Sequence, residues 1–352
     1  MSNTIKVALA AYGLSGSVFH APLIHAHTGL HLYAVLQRSA SSAKERYPYT
    51  KIVSSYDQLL SDPDIDLIVV NTPEYLHYEM AKQAMLAGKH VVVEKAFTPT
   101  SLEAEELIKV SIDQNKLLSV FQNCRWHSDF VTIKHLLSRK LLGEVVSFEA
   151  HFDRYRPEVQ GSSWKEEEKP GTGVLYNLGS HMIDQALQLF GWPEKVQADI
   201  VTQRSDGKVD DFFDLKLYYS GLTVNLKSSY LVRSEGPRYI IHGTKGSFIK
   251  NGIDQQEALL KAGKSPLEDG WGAENAKWWG EINTDFQGIH IEGKVESLRA
   301  SYLEYYQNIY EALKLGKKLA VKADQALQVI QIIEAAYQSQ RKGRMITLSG
   351  SK

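Results

Sequence analysis

The hexapeptide Ala11-Tyr12-Gly13-Leu14-Ser15-Gly16 has the spacing of a phosphate-binding turn. It follows an apolar run at residues 5–10 and opens a stretch of helical character. In dinucleotide-binding turns the glycines allow a tight bend, close approach of backbone to pyrophosphate, and close packing of helix on strand. The helix N-terminus adds unpaired N–H groups and the positive end of its dipole. Ala11 occupies the place of the first glycine, so the pattern is A-x-G-x-x-G. Gly13, Leu14, Ser15 and Gly16 are the candidate pyrophosphate ligands.

The second chemical feature lies past the next apolar run, residues 30–36, where the chain reads Gln37-Arg38-Ser39. A domain that prefers NAD places an acid near this point to bind the ribose hydroxyls. Residues 34–42 contain none. A carboxylate would repel a 2′-phosphate, whereas Arg38 can pair with it and Ser39 can donate to it. The expected cofactor is NADP, ahead of NAD.

These groups need elements to hold them. In the first third of the chain, short aliphatic runs at 5–10, 30–36, 66–70 and 90–93 alternate with helical stretches at 74–87 and 101–114. Strands alternating with helices predict a parallel sheet of βαβ units, a doubly wound Rossmann domain. After about residue 122 the rhythm changes. Strand-like runs at 145–155, 212–219, 222–230, 238–242 and 247–250 follow one another, with turn signals at Ser220-Gly221 and 243–246. Helices are predicted at 179–190, 298–315 and 323–340. This is the pattern of an α+β domain with a mostly antiparallel sheet. The expected division is 1–122 for the nucleotide domain and 123–352 for a substrate-binding and oligomerisation domain. The stretch 254–296, with Trp271, Trp278 and Trp279, has no legible element.

Bulk properties exclude other classes. The chain has 352 residues, 43% hydrophobic and 23% charged, with a net charge of −1. That balance suits a globular protein with a sizeable core and gives no field for nucleic acid or an acidic membrane. No apolar run is long enough to span a bilayer. The one cysteine, Cys124, excludes an internal disulfide framework and fits a reducing, cytoplasmic setting. It has no evident partner base, so a nucleophilic role is not expected. His20, His25, His27 and His31 lack ligand-like spacing with other donors, and no metal site is expected.

Several further motifs together resemble one family. Asn71-Thr72-Pro73 with His77 is followed by Val93-Glu94-Lys95-Ala96, then Asn123-Cys124-Arg125-Trp126. The longest is Gly171-Thr172-Gly173-Val174-Leu175-Tyr176-Asn177-Leu178-Gly179-Ser180-His181-Met182-Ile183-Asp184. In this order they resemble the Gfo/Idh/MocA oxidoreductases over nearly the whole chain. The stretches GLSGSVFHAP (13–22) and FDRYRPE (152–158) look most like the family's NADP-dependent scyllo-inositol dehydrogenase branch.

The resemblance implies a large open sheet in the second domain that mediates homodimer or homotetramer contacts. It implies cofactor contacts from Thr72, Pro73, His77, Glu94, Lys95 and Asn123. The lysine of the E-K-P motif, here Lys95, reaches nicotinamide and substrate hydroxyl. The acid and histidine of the D-x-G-x-H segment, here Asn177 and His181, face the reacting carbon. Arg154 and Trp164 are candidates to line a polyol or sugar site. Ala96 replaces the family's proline and Asn177 its aspartate. Asn can only exchange hydrogen bonds, so the proton of a secondary alcohol falls to His181. The expected activity is hydride transfer between NADP(H) and a cyclic polyol or sugar. The alternative is a nucleotide-sensing regulator that keeps the cofactor site and has lost the chemistry.

Overall fold

The computed structural model describes residues 4–38, 42–161 and 163–350. Six short strands form the first sheet: β1 (Ile5–Leu9), β2 (Leu30–Leu36), β3 (Lys51–Val53), β4 (Leu67–Val70), β5 (His90–Val93) and β6 (Leu118–Val120). All neighbouring pairs are parallel, in the order β3-β2-β1-β4-β5-β6. The strands are aliphatic because helices cover both faces; in β4 every residue, Leu67 to Val70, is buried. The strand order reverses between β1 and β4. In doubly wound sheets that point opens a crevice at the carboxyl ends of the strands.

The second sheet has nine strands: β7 (Val145–His151), β8 (Lys195–Val201), β9 (Phe212–Tyr219), β10 (Leu222–Ser229), β11 (Tyr239–Gly243), β12 (Gly246–Lys250), β13 (Gly280–Phe286), β14 (Ile289–Val295) and β15 (Ile346–Thr347). Their order is β14-β13-β12-β11-β7-β10-β9-β8-β15. Only the β7–β10 pair is parallel. Here the sequence alternates, as a sheet with one covered face requires. In β8, Val196, Ala198 and Ile200 are buried between exposed Lys195, Gln197, Asp199 and Val201. Phe213, Leu215 and Leu217 of β9 continue the same face. The helix Ser180–Phe190 packs on it. Phe190 meets Phe148 edge-on with centroids 5.3 Å apart, and Tyr239 donates to Gln185 at 3.0 Å. Each such apolar side chain, fully buried, contributes roughly 1.5–3 kcal/mol.

The chain folds into two compact units that are not consecutive halves. One comprises Met1–Trp126, Gln255–Trp271 and Ser301–Leu327; the other comprises His127–Asp254, Gly272–Ala300 and Gln328–Lys352. The stretch 254–296, illegible in the sequence, holds the helix Gln256–Lys261 and the β13–β14 hairpin. Predicted helix ends shift. The helix expected from 298 begins at Leu303, and the last one runs on to Lys342. The one expected from 74 starts as a 3-10 turn, Glu74–Leu76, before His77–Leu86. Among the described residues no helix is long and apolar enough to cross a membrane.

Candidate active site

In the first unit the expected cofactor residues gather at the carboxyl ends of the parallel strands. The glycine turn follows β1, Arg38 follows β2, Thr72 and Pro73 follow β4, Glu94 and Lys95 follow β5, and Asn123 follows β6. Ser39 lies outside the described residues.

The turn is built for close packing. A Cβ on Gly16 would lie 2.5 Å from the Ala11 carbonyl oxygen and 2.8 Å from Asn71 Nδ2, whereas one on Gly13 would meet nothing within 4 Å. Gly16 is thus demanded by the helix–strand contact, and Gly13 leaves its backbone open on the exposed side. Asn71 holds the residue that replaces the first glycine. Its Oδ1 accepts from the Ala11 N–H at 3.0 Å, and its Nδ2 donates to the Ala11 carbonyl at 2.8 Å. In the sequence Asn71 is visible only as part of the Asn71-Thr72-Pro73 motif. Its bracing role needed the β1–β4 pairing that places it beside the turn. The helix after the turn starts as a π turn, Gly16–His20, in which the Ala21 N–H reaches back to Gly16 O. Pro22, next in line, has no N–H with which to close an α-type bond.

The strand ends fit a dinucleotide. Thr72 Oγ1 and both amide atoms of Gln122 are buried and make no hydrogen bond among the described residues. Buried polar atoms without partners are costly. Placed at this edge, they suit the hydroxyls and carboxamide of a bound nicotinamide nucleotide. Arg38 is exposed and lies two residues past the end of β2. His77 is fully buried, and its Nδ1 and Nε2 face the carbonyls of Phe97 at 2.9 Å and Thr72 at 2.8 Å. Its ring joins the loops after β4 and β5, and neither nitrogen is left over for a ligand.

Glu94 is also committed to the protein. Its Oε1 lies 3.0 Å from His20 Nε2, and its Oε2 accepts from the Lys95 N–H at 3.0 Å. His20 Nδ1 in turn lies 2.6 Å from the Tyr306 hydroxyl. Burial pushes the Glu94 carboxyl up. The His20 hydrogen bond and the charges of His20, Lys95 and His77 outweigh it and hold the group below the ordinary range. A carboxyl with a lowered folded pKa contributes stability above its unfolded pKa and loses it as the pH falls through the folded one. Glu94→Gln should therefore lower the urea midpoint by a constant amount at neutral pH. The gap should narrow below the ordinary carboxyl value of about 4.3; a gap that widens on acidification would show that Glu94 is not held as an anion. Lys95 itself is half-buried, between buried Glu94 and buried Ala96 and Phe97, and the Lys95–Ala96 peptide is cis.

The second unit carries the remaining candidates. Asn177 sits in a π turn, Leu175–Gly179, that runs straight into the helix Ser180–Phe190 bearing His181. The helix expected to begin at 179 thus begins a turn earlier, in the wider form often found at functional sites. The segment is anchored from Asp210, whose Oδ2 accepts from Leu175 N–H at 2.9 Å and whose Oδ1 accepts from Tyr337 OH at 2.6 Å. His181 is buried, at 8% exposure.

Around Asn177, Lys165 Nζ donates to its Oδ1 at 3.2 Å, and its Nδ2 donates to Tyr230 OH at 3.2 Å. Trp164, a candidate for the sugar site, lies on the 3-10 turn Trp164–Glu166 with Lys165 Nζ 5.7 Å from its ring centroid. That turn is tied down by Arg204, which donates to both oxygens of Glu166 and to Asp211. Arg154 stacks over Phe152, 4.5 Å from the ring centroid. Lys165, Tyr230 and Asp210 were not anticipated, because Lys165 and Tyr230 reach Asn177, and Asp210 reaches Leu175, from other segments of the chain.

Comparison with known proteins gives a consistent picture. Residues 5–122 match a Gfo/Idh/MocA family model described as an oxidoreductase family NAD-binding Rossmann fold. Residues 134–348 match one described as that oxidoreductase family's C-terminal alpha/beta domain. The chain is 42% identical to the scyllo-inositol 2-dehydrogenase (NADP(+)) IolW of Bacillus subtilis, over 98% of this chain and 96% of that protein. The solved structure of yvaA from Bacillus subtilis is 41% identical with a TM-score of 0.96, covering 99% of both chains. A solved structure from Bacteroides fragilis is 47% identical with a TM-score of 0.90, covering 98% of this chain and all of that one (100%).

Proposed function

Because the chain belongs to the Gfo/Idh/MocA family of oxidoreductases, we propose that it moves a hydride between NADP(H) and a secondary hydroxyl or ketone of a cyclic polyol or sugar. The observation that carries this reading is the placement of the glycine turn and Lys95 at the carboxyl ends of β1 and β5, either side of β4, in one parallel sheet. The name of the Bacillus subtilis relative supports both the inositol-like substrate and the phosphorylated cofactor.

The nicotinamide, when bound, supplies or accepts the hydride. Gly13 to Gly16 present backbone N–H groups to its pyrophosphate, and Arg38 pairs with the 2′-phosphate. Thr72, Pro73 and Asn123 line the inner part of the cofactor site, while His77 and Glu94 act there by bracing the loop that carries Lys95. The Lys95 ammonium polarises the reacting oxygen. His181 takes the hydroxyl proton during oxidation and returns it during reduction. Asn177 orients the substrate or His181, and Arg154 and Trp164 border the polyol. Subunits associate through the outer face of the nine-stranded sheet, where Phe212, Tyr218, Ile240 and Ile249 are half-buried beside charged residues.

The direct test incubates purified protein with NADP or NADPH and a panel of inositols, hexoses and their ketones, following nicotinamide absorbance. Absence of turnover in either direction across the panel would sink the reading. The cofactor choice has its own test. Arg38→Ala should reduce the preference for NADP over NAD by about 10- to 100-fold, the worth of one hydrogen-bonded charge pair. An unchanged ratio would remove Arg38 from the 2′-phosphate site.

A further inference from the structure

The polarity of the hydrogen bonds around Asn177 assigns a donor that no motif points to. Lys165 has only protons to give, so the Asn177 atom 3.2 Å from its Nζ must be the carbonyl oxygen. The other end of the amide is then the NH₂ group, and it donates to Tyr230 OH at 3.2 Å. Tyr230 therefore accepts at this contact. Its own hydroxyl proton has no acceptor among the described residues, and it is turned away from Asn177. Arg156 and Arg204 hold the ring, with guanidinium carbons 5.6 Å and 5.1 Å from its centroid. Burial keeps the phenol above its ordinary range, against the pull of the Asn177 hydrogen bond and of Arg156 and Arg204. At neutral pH the group is a protonated donor.

We propose that Tyr230 donates its hydroxyl proton in a hydrogen bond to a substrate oxygen at the Asn177 position, with Lys165 fixing the amide that aims it. This rests on the polyol or sugar reading above and names a further substrate-contacting residue for it. It also gives a physical reason for asparagine in place of aspartate. A carboxylate at 177 would accept the Tyr230 proton itself and leave the substrate without that donor. An amide held by Lys165 offers Tyr230 only N–H, so the phenol must look elsewhere.

The test uses the full-length protein and the polyol that wild type turns over fastest. Tyr230→Phe should lower kcat by roughly 10- to 100-fold, in the range of a lost donor to a reacting oxygen. The NADPH dissociation constant, read by fluorescence, and the thermal midpoint should stay at wild-type values. Lys165→Met should lower kcat by a smaller factor, since the amide can then turn over, and Lys165→Arg should restore it. Asn177→Asp should lower kcat as well. Wild-type kcat in Tyr230→Phe, or a raised kcat in Asn177→Asp, overturns the proposal and leaves the dehydrogenase reading standing. A wild-type protein inactive on the whole panel overturns both.

Discussion

His181→Ala is expected to reduce turnover by about 10²- to 10⁴-fold, the usual contribution of a positioned acid–base group. Removing hydride from a secondary alcohol requires that the hydroxyl proton leave, and Asn177 cannot take it. The role proposed for Lys95 is to polarise the oxygen, which leaves the proton to another group. An imidazole accepts and returns protons near neutral pH. His181 sits one turn past Asn177 on a helix whose start is anchored by Asp210. The residues expected to bind cofactor lie in the other unit, so NADPH affinity should move little in the variant. Lys95→Met should cost a comparable factor. If His181→Ala retains more than about a tenth of wild-type turnover, the base lies elsewhere.

Gly173→Ala carries the largest expected effect on stability, roughly 2–4 kcal/mol, with loss of activity alongside it. Gly173 has a φ of +99°, a conformation that side chains other than glycine rarely adopt. Its missing Cβ would also overlap the Asp210 carboxylate. That carboxylate is half-buried, and it cannot retreat without releasing the Leu175 N–H and the Tyr337 hydroxyl. The Asn177 N–H bonds to Gly173 O at 3.0 Å, so a shift at 173 is passed directly into the π turn. Urea unfolding read beside kcat is the measurement. A variant within about 0.5 kcal/mol of wild type would show that the turn accommodates the methyl.

Much of the first sheet was legible because each βαβ unit is local. Apolar runs predict β1, β2, β4 and β5, and the break after β1 marks the turn. The three-residue strands β3 and β6 escaped notice, since three residues carry too little periodicity to register. The second sheet was half legible. The hairpin of β9 and β10 follows from alternation around Ser220-Gly221. The parallel pairing of β7 with β10 could not be anticipated, because non-local pairing leaves no local mark. The β13–β14 hairpin is local, closing over Gln287-Gly288, and went unread because polar residues and Gly293 interrupt its apolar runs.

The phosphate turn shows where the line falls. By itself the sequence determined the chemistry available: glycines after a first strand, an arginine and no acid after the second, and a lysine and a histidine inside recognisable motifs. These are local facts of residue type and spacing. Tertiary structure alone decided how those groups are held. Asn71 takes both polar backbone atoms of Ala11, His77 links the carbonyls of Thr72 and Phe97, and Lys165 turns the Asn177 amide toward Tyr230. Each partner comes from another strand or loop. A hydrogen bond depends on distance and direction within a few tenths of an ångström, and only the folded backbone sets those.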